Sequence, residues 1–290
     1  MTDSAHLSTG VLAAVLGAAA LHALGNSLVK SANDKFLSSA IVALWCGVAA
    51  VLAALVLPRP AEAAMPFIIA SAIIHIVYFI LVGQLYRTAD LSVAYPIMRG
   101  LAPLIAAIIA LVTLGEAPAP IASLGVLALV IGVLAMGASG LAHGRIDRTT
   151  VIVALINSAV IAIYSVIDGE GARLSGAGSA FAFAYNSWAD AQTALAYLPI
   201  ILFLRGRTVV GAFAGDWRRG LIGGLAAFLG YAIVIWAMTR APIAAIAALR
   251  ETSVVFAAII GVVALGEPFH TQRAIAVLVI LAGIILLRIG

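Results

Sequence analysis

Apolar runs about 20 residues long recur along the whole chain, each the length a helix needs to cross a hydrocarbon core. Bounded by charge, proline or glycine, they predict spans at 10–29, 37–57, 66–86, 91–114, 119–139, 150–167, 179–204, 218–239, 243–265 and 271–288. The runs are continuously apolar and rich in Ala and Leu, whereas the strands of a membrane barrel would alternate over about ten residues. An all-α integral membrane protein of ten transmembrane helices is therefore expected. Only 10% of the residues are charged and the mean hydropathy is +1.18, against about a quarter charged in soluble domains. Almost no chain remains for a water-soluble catalytic domain.

A net charge of +4 would suggest a nucleic-acid partner in a soluble protein, but here the 16 basic residues are scattered singly or in pairs through the loops. They read as topology signals, so the expected partners are the bilayer and a small-molecule substrate, with no nucleic acid. The single cysteine, Cys46, lies inside the second span, which excludes an internal disulfide and a cysteine metal site. No cofactor is expected. Met1 to Gly10 lacks the basic region of a signal peptide, so the first helix is expected to be retained.

Sliding the chain on itself by 151 residues exposes an internal repeat: Glu116 falls on Glu267 and Arg99 on Arg250. The same shift lays Ala106-Ala107-Ile108-Ile109 on Ala257-Ala258-Ile259-Ile260 and Leu114-Gly115 on Leu265-Gly266. From Leu85 to Glu116, 11 of 32 positions are identical. The repeat joins the fourth span to the ninth and divides the chain into halves at 1–140 and 141–290. Five helices per half put the second half upside down relative to the first. Such inverted repeats accompany transport, because two similar halves can rock about a central cavity and open it to either side in turn.

Counting Lys and Arg by side gives Arg59, Arg173, Arg240 and Arg288 with the termini, and Lys30, Lys35, Arg87, Arg145, Arg148, Arg205, Arg207, Arg218, Arg219 and Arg273 opposite. The positive-inside rule then puts both termini outside the cytoplasm.

Arg99 and Arg250 each stand about 12 Å along their helices, near the middle of a core about 30 Å thick. A guanidinium there costs about 2.5–3.5 kcal/mol on insertion scales, so lipid is an unfavourable neighbour. Two readings follow: a cationic pair facing a cavity and binding a carboxylate or other anion, or a pair capped by Glu251 and backbone carbonyls that holds the halves together. Glu251, whose repeat partner is Gly100, is expected either to meet a substrate amino group or to bridge to an arginine. Pro96, Gly100 and Pro103 around Arg99 predict a kink.

Helical spacing gathers further polar and aromatic residues onto single faces: His75 with Tyr78, Tyr95 with Arg99, Asn157 with Tyr164 and Asp168, Tyr185 with Trp188 and Gln192, and His22 with Asn26. Trp236 lies near the end of the eighth span. His75, Tyr78, Tyr95, Arg99, Tyr164, Trp188, Trp236, Arg250 and Glu251 are the candidate substrate-binding residues, with no catalytic or metal-binding residue among them. For a Tyr or Trp near a helix end, an interfacial belt is the competing explanation. Glu116 and Glu267 read as helix-end residues, and Gly125, Gly132 and Gly137 as close-packing positions, either within a monomer or in a homodimer.

Ten spans, the five-plus-five repeat and Leu-Gly-Glu closing the fourth and ninth helices resemble the drug/metabolite transporter superfamily in its EamA-type branch. The resemblance implies exporters of amino acids and related metabolites in the plasma (inner) membrane, similar in size to aromatic amino-acid exporters. It also implies a cavity built from the third, fourth, eighth and ninth helices, and termini in the cytoplasm, opposite to the charge count. The leading expectation is a secondary or facilitative exporter working by alternating access; a carrier of organic phosphates or phosphonates is the alternative. An intramembrane lipid-modifying enzyme is disfavoured by the lack of His-Glu-x-x-His, a paired Asp cluster or Gly-x-Ser-x-Gly at a membrane interface.

Overall fold

The computed structural model describes residues 7–88, 98–141, 148–265 and 271–290, and all regular structure among them is helical. The helices are α1 (Thr9–Lys30), α2 (Lys35–Ala54), α3 (Met65–Thr88), α4 (Ala102–Leu114), α5 (Pro120–Leu141), α6 (Arg148–Leu174), α7 (Ser179–Arg205), α8 (Thr208–Gly215), α9 (Trp217–Met238), α10 (Ile243–Arg250), α11 (Ser253–Leu265) and α12 (Thr271–Ile289). Among the described residues eight helical stretches are long and apolar enough to cross a membrane, α10 and α11 counting together as one, so the protein is multi-pass. Met98–Leu114 and Pro120–Met136 are shorter apolar helices, and the start of the fourth expected span lies outside the described residues.

Polarity is distributed as a bilayer demands. Large apolar side chains such as Leu55, Phe203 and Val263 are 77%, 90% and 80% exposed, while Arg99, Asn157, Asp168, Asn186, Arg250 and Glu251 are buried. With lipid outside, polar groups find partners only among the helices or in an internal cavity.

Three elements depart from the expected spans. The ninth is two helices, α10 and α11, interrupted at Glu251-Thr252. The sixth runs on to Leu174: Asp168, the charge that closed it in the sequence, is buried and accepts hydrogen bonds from Tyr185 and Tyr231. The third departure is α8, a short helix that was not expected; it places Phe213 flat against Trp45, ring centroids 4.7 Å apart.

The helix pairings come in matched sets. On the repeat expected from the sequence, α1, α2, α3, α4 and α5 would correspond to α6, α7, α9, α10/α11 and α12. Packing of α1 on α9 is then matched by α3 on α6, α2 on α9 by α3 on α7, and α1 on α11 by α4 on α6. The pairs α5 with α12, α2 with α7, and α4 with α10 are their own counterparts. The offset seen in the sequence recurs in the backbone: adding 151 to Ala102 and Leu114, the ends of α4, gives Ser253 and Leu265, the ends of α11.

The α5–α12 seam depends on glycine. A Cβ at Gly125 would stand 2.7 Å from Leu287 N, and one at Gly283 2.9 Å from Gly125 O, so backbone meets backbone. Gly132 likewise faces Ile280 and Ala276. Gly125 and Gly132 therefore serve a seam within one chain, as small residues do between membrane helices; the side-chain position of Gly137 is outside the described residues. Gly283→Leu is expected to separate the two helices, an overpacking cost of about 1–3 kcal/mol. A clear drop in the thermal unfolding midpoint in detergent is the expected result; an unchanged midpoint would contradict this packing.

Candidate functional site

Both arginines emerge where a helix is interrupted. Arg250 is the last residue of α10; the chain turns through Glu251 and Thr252, with Thr252 Oγ1 donating to Leu249 O at 2.7 Å, and α11 begins at Ser253. A cation in the last turn of α10 meets the negative end of that helix dipole. In the first half, Met98 to Gly100 are helical, the chain bends at Leu101, and α4 begins with Pro103 in its first turn. A kink was expected here; the bend falls at Leu101, and Pro96 lies outside the described residues.

Glu251 stands between the two arginines. Its Oε2 accepts from Arg99 Nε at 2.7 Å and its Oε1 from Arg250 Nε at 3.3 Å, with all three side chains at most 4% exposed. One carboxylate thus meets two guanidinium groups, and the cluster retains excess positive charge. The Arg250 guanidinium also lies 5.7 Å from the ring centroid of Tyr164 and 5.9 Å from that of Tyr231, a cation–π arrangement.

Arg99 and Arg250 border a cavity of about 170 Å3. His75, Tyr78 and Phe79 of α3, Tyr164 of α6 and Tyr231 of α9 form its aromatic side, with His75 4.3 Å from Tyr164 and 5.8 Å from Tyr231 between ring centroids. His75 Nδ1 is held by Ser71, 3.0 Å from its carbonyl oxygen and 3.2 Å from Oγ. The remaining wall comes from α1 (His22, Asn26), α2 (Val42, Cys46), α7 (Asp190, Thr193, Tyr197) and α9 (Ala227, Gly230). An engineered apolar cavity of about 150 Å3 admits benzene, so this one has room for a small metabolite.

Five of the nine candidates, His75, Tyr78, Arg99, Tyr164 and Arg250, therefore meet on one cavity. Tyr95 lies outside the described residues. Glu251 sits behind the arginines and is absent from the wall, so its carboxylate is committed to them. Trp188 and Trp236 are also off the wall. Trp236 Nε1 donates to Ser179 Oγ at 3.1 Å and its ring lies under Arg240, while Trp188 lies near Arg59. Tyr231 and Asp190 were not singled out by spacing, although an acid inside a span was a signal in itself.

Glu116 does more than end a helix. Gly115 takes the left-handed conformation (φ 65°) that closes α4, which turns Glu116 toward α10. Its Oε1 accepts the Ile243 N–H at the start of α10, and its Oε2 accepts from Arg173 Nη1 at 2.8 Å. Arg173 Nε in turn donates to Met238 O at 3.0 Å. The Gly-Glu pair of the first half thus fastens the ends of α4, α6 and α9 to the start of α10. Glu267, its repeat partner, lies outside the described residues.

No curated protein matches the chain. Among solved structures 27 chains match; one crystal structure aligns over 96% of both chains with a TM-score of 0.72 at 20% identity, a likeness of fold. Residues 148–289 match the EamA-like transporter family.

Proposed function

We propose that the protein is a carrier exporting amino acids or related small metabolites across the plasma (inner) membrane by alternating access. An EamA-like domain implies a membrane transporter of small molecules. The observation that carries the finer reading is the cavity itself: two arginines from equivalent helix breaks border a space large enough for a metabolite. Ten helices in two inverted five-helix halves, 1–140 and 141–290, would move about it. The matched helix pairings and the common offset of α4 and α11 support that symmetry. Arg99 and Arg250 attract the anionic group of the substrate, and His75, Tyr78 and Tyr164 flank the rest. No nucleotide-binding motif accompanies the spans, so the energy would come from a gradient or from the substrate's own concentration difference.

The excess positive charge around Glu251 is also compatible with the second reading, a carrier of organic phosphates or phosphonates. Counterflow in proteoliposomes with a panel of labelled amino acids and phosphate esters separates the two. Accumulation of amino acids is the expected result. Accumulation of phosphate esters alone would favour the second reading, and accumulation of no solute would remove the carrier assignment.

A further inference from the structure

The cavity contains an acid that the arginine cluster leaves alone. Asp190 lies near the middle of α7 and lines the cavity. Its protein hydrogen bonds both fall on one oxygen: Asn186 Nδ2 donates to Oδ2 at 3.0 Å, and Cys46 Sγ lies 3.6 Å from the same atom. Among the described residues, Oδ1 receives no hydrogen bond and no Lys, Arg or His stands within ion-pair distance of either oxygen. The other two acids at this depth are satisfied, Glu251 by two guanidinium groups and Asp168 by two phenols, and neither lines the cavity.

An acid at mid-membrane that faces a cavity without a counter-charge marks the binding of a cation there. We infer that Asp190 holds the ammonium group of a zwitterionic substrate whose carboxylate sits on Arg250. The assignment rests on the carrier reading. It moves the amino-group role from Glu251, whose oxygens are occupied, to a different helix. It also makes the cavity selective against purely anionic ligands: these would leave Asp190 as an unpaired acid in a site from which they displace water.

The test uses the full chain in proteoliposomes and four probes: leucine and phenylalanine, and the corresponding acids lacking the amino group, 4-methylpentanoate and 3-phenylpropionate. Wild type is expected to prefer an amino acid over its deaminated partner by about ten- to hundredfold, the value of one charge-assisted hydrogen bond. Asp190→Asn, nearly the same shape, is expected to erase that preference by weakening the amino acid alone; Asp190→Glu, which keeps the charge, retains part of it. An equal preference in wild type and Asp190→Asn overturns the assignment, as does a wild type that binds none of the four. Loss of only the pH dependence of transport in Asp190→Asn overturns it too, because the acid then carries a proton. Counterflow of 3-phenylpropionate that persists in both proteins, with no preference for phenylalanine, sinks this assignment while leaving the carrier reading intact.

Discussion

Glu251→Ala is expected to be the most damaging single substitution in the chain, lowering the unfolding free energy by about 3–5 kcal/mol. It removes the one carboxylate that Arg99 and Arg250 share, at 2.7 and 3.3 Å, and leaves two guanidinium groups at most 4% exposed without it. Lipid cannot replace that partner. Glu251→Gln keeps one acceptor and should fall between wild type and alanine. The measurement is the thermal midpoint in detergent together with the yield of monodisperse protein. A Glu251→Ala protein as stable as wild type would show that the three charges are not a structural unit.

Arg250→Ala is expected to act on transport more than on folding. Glu251 keeps its shorter bond to Arg99 in this variant, so the carboxylate is not left alone. The cavity, however, loses the guanidinium that borders it beside Tyr164 and Tyr231. Charge-assisted hydrogen bonds are worth about 1.5–3 kcal/mol, so the affinity for any solute that shows counterflow should fall about ten- to hundredfold. Arg250→Lys keeps the charge but not the fork of donors, and should lie between the two. Unchanged counterflow in Arg250→Ala, with the same folded yield, would take Arg250 out of the substrate site.

Much of the architecture was legible because the bilayer leaves few choices. Apolar length located most of the spans, and the prolines around Arg99 pointed to a kink in the fourth. The break at Glu251-Thr252 was harder to read. Leu249-Arg250-Glu251-Thr252-Ser253 contains neither proline nor glycine, so nothing local in the sequence announced it and the ninth span was expected unbroken. Asp168 closed the sixth span too early, because a charge in a sequence does not announce that two tyrosines will cover it. Helical spacing put Trp188 on one face with Tyr185 but could not say which face met the cavity, and contacts with neighbouring helices decided it. Asp190 escaped attention for a related reason. Its place on the cavity wall depends on how α7 packs against its neighbours, which spacing along one helix does not show.

The central claim is that the two arginines border a wet space inside the bilayer, and thiol accessibility on α9 tests it most directly. In a Cys46→Ser background, Ala227→Cys puts the only thiol on the cavity wall, whereas Leu229→Cys, two residues along the same helix, puts it on the outer apolar face, where Leu229 is 47% exposed. A small, charged, membrane-impermeant thiol reagent should modify position 227 in intact proteoliposomes and leave position 229 untouched. Modification of neither residue, or of both at the same rate, would contradict a water-filled cavity and the carrier mechanism built on it.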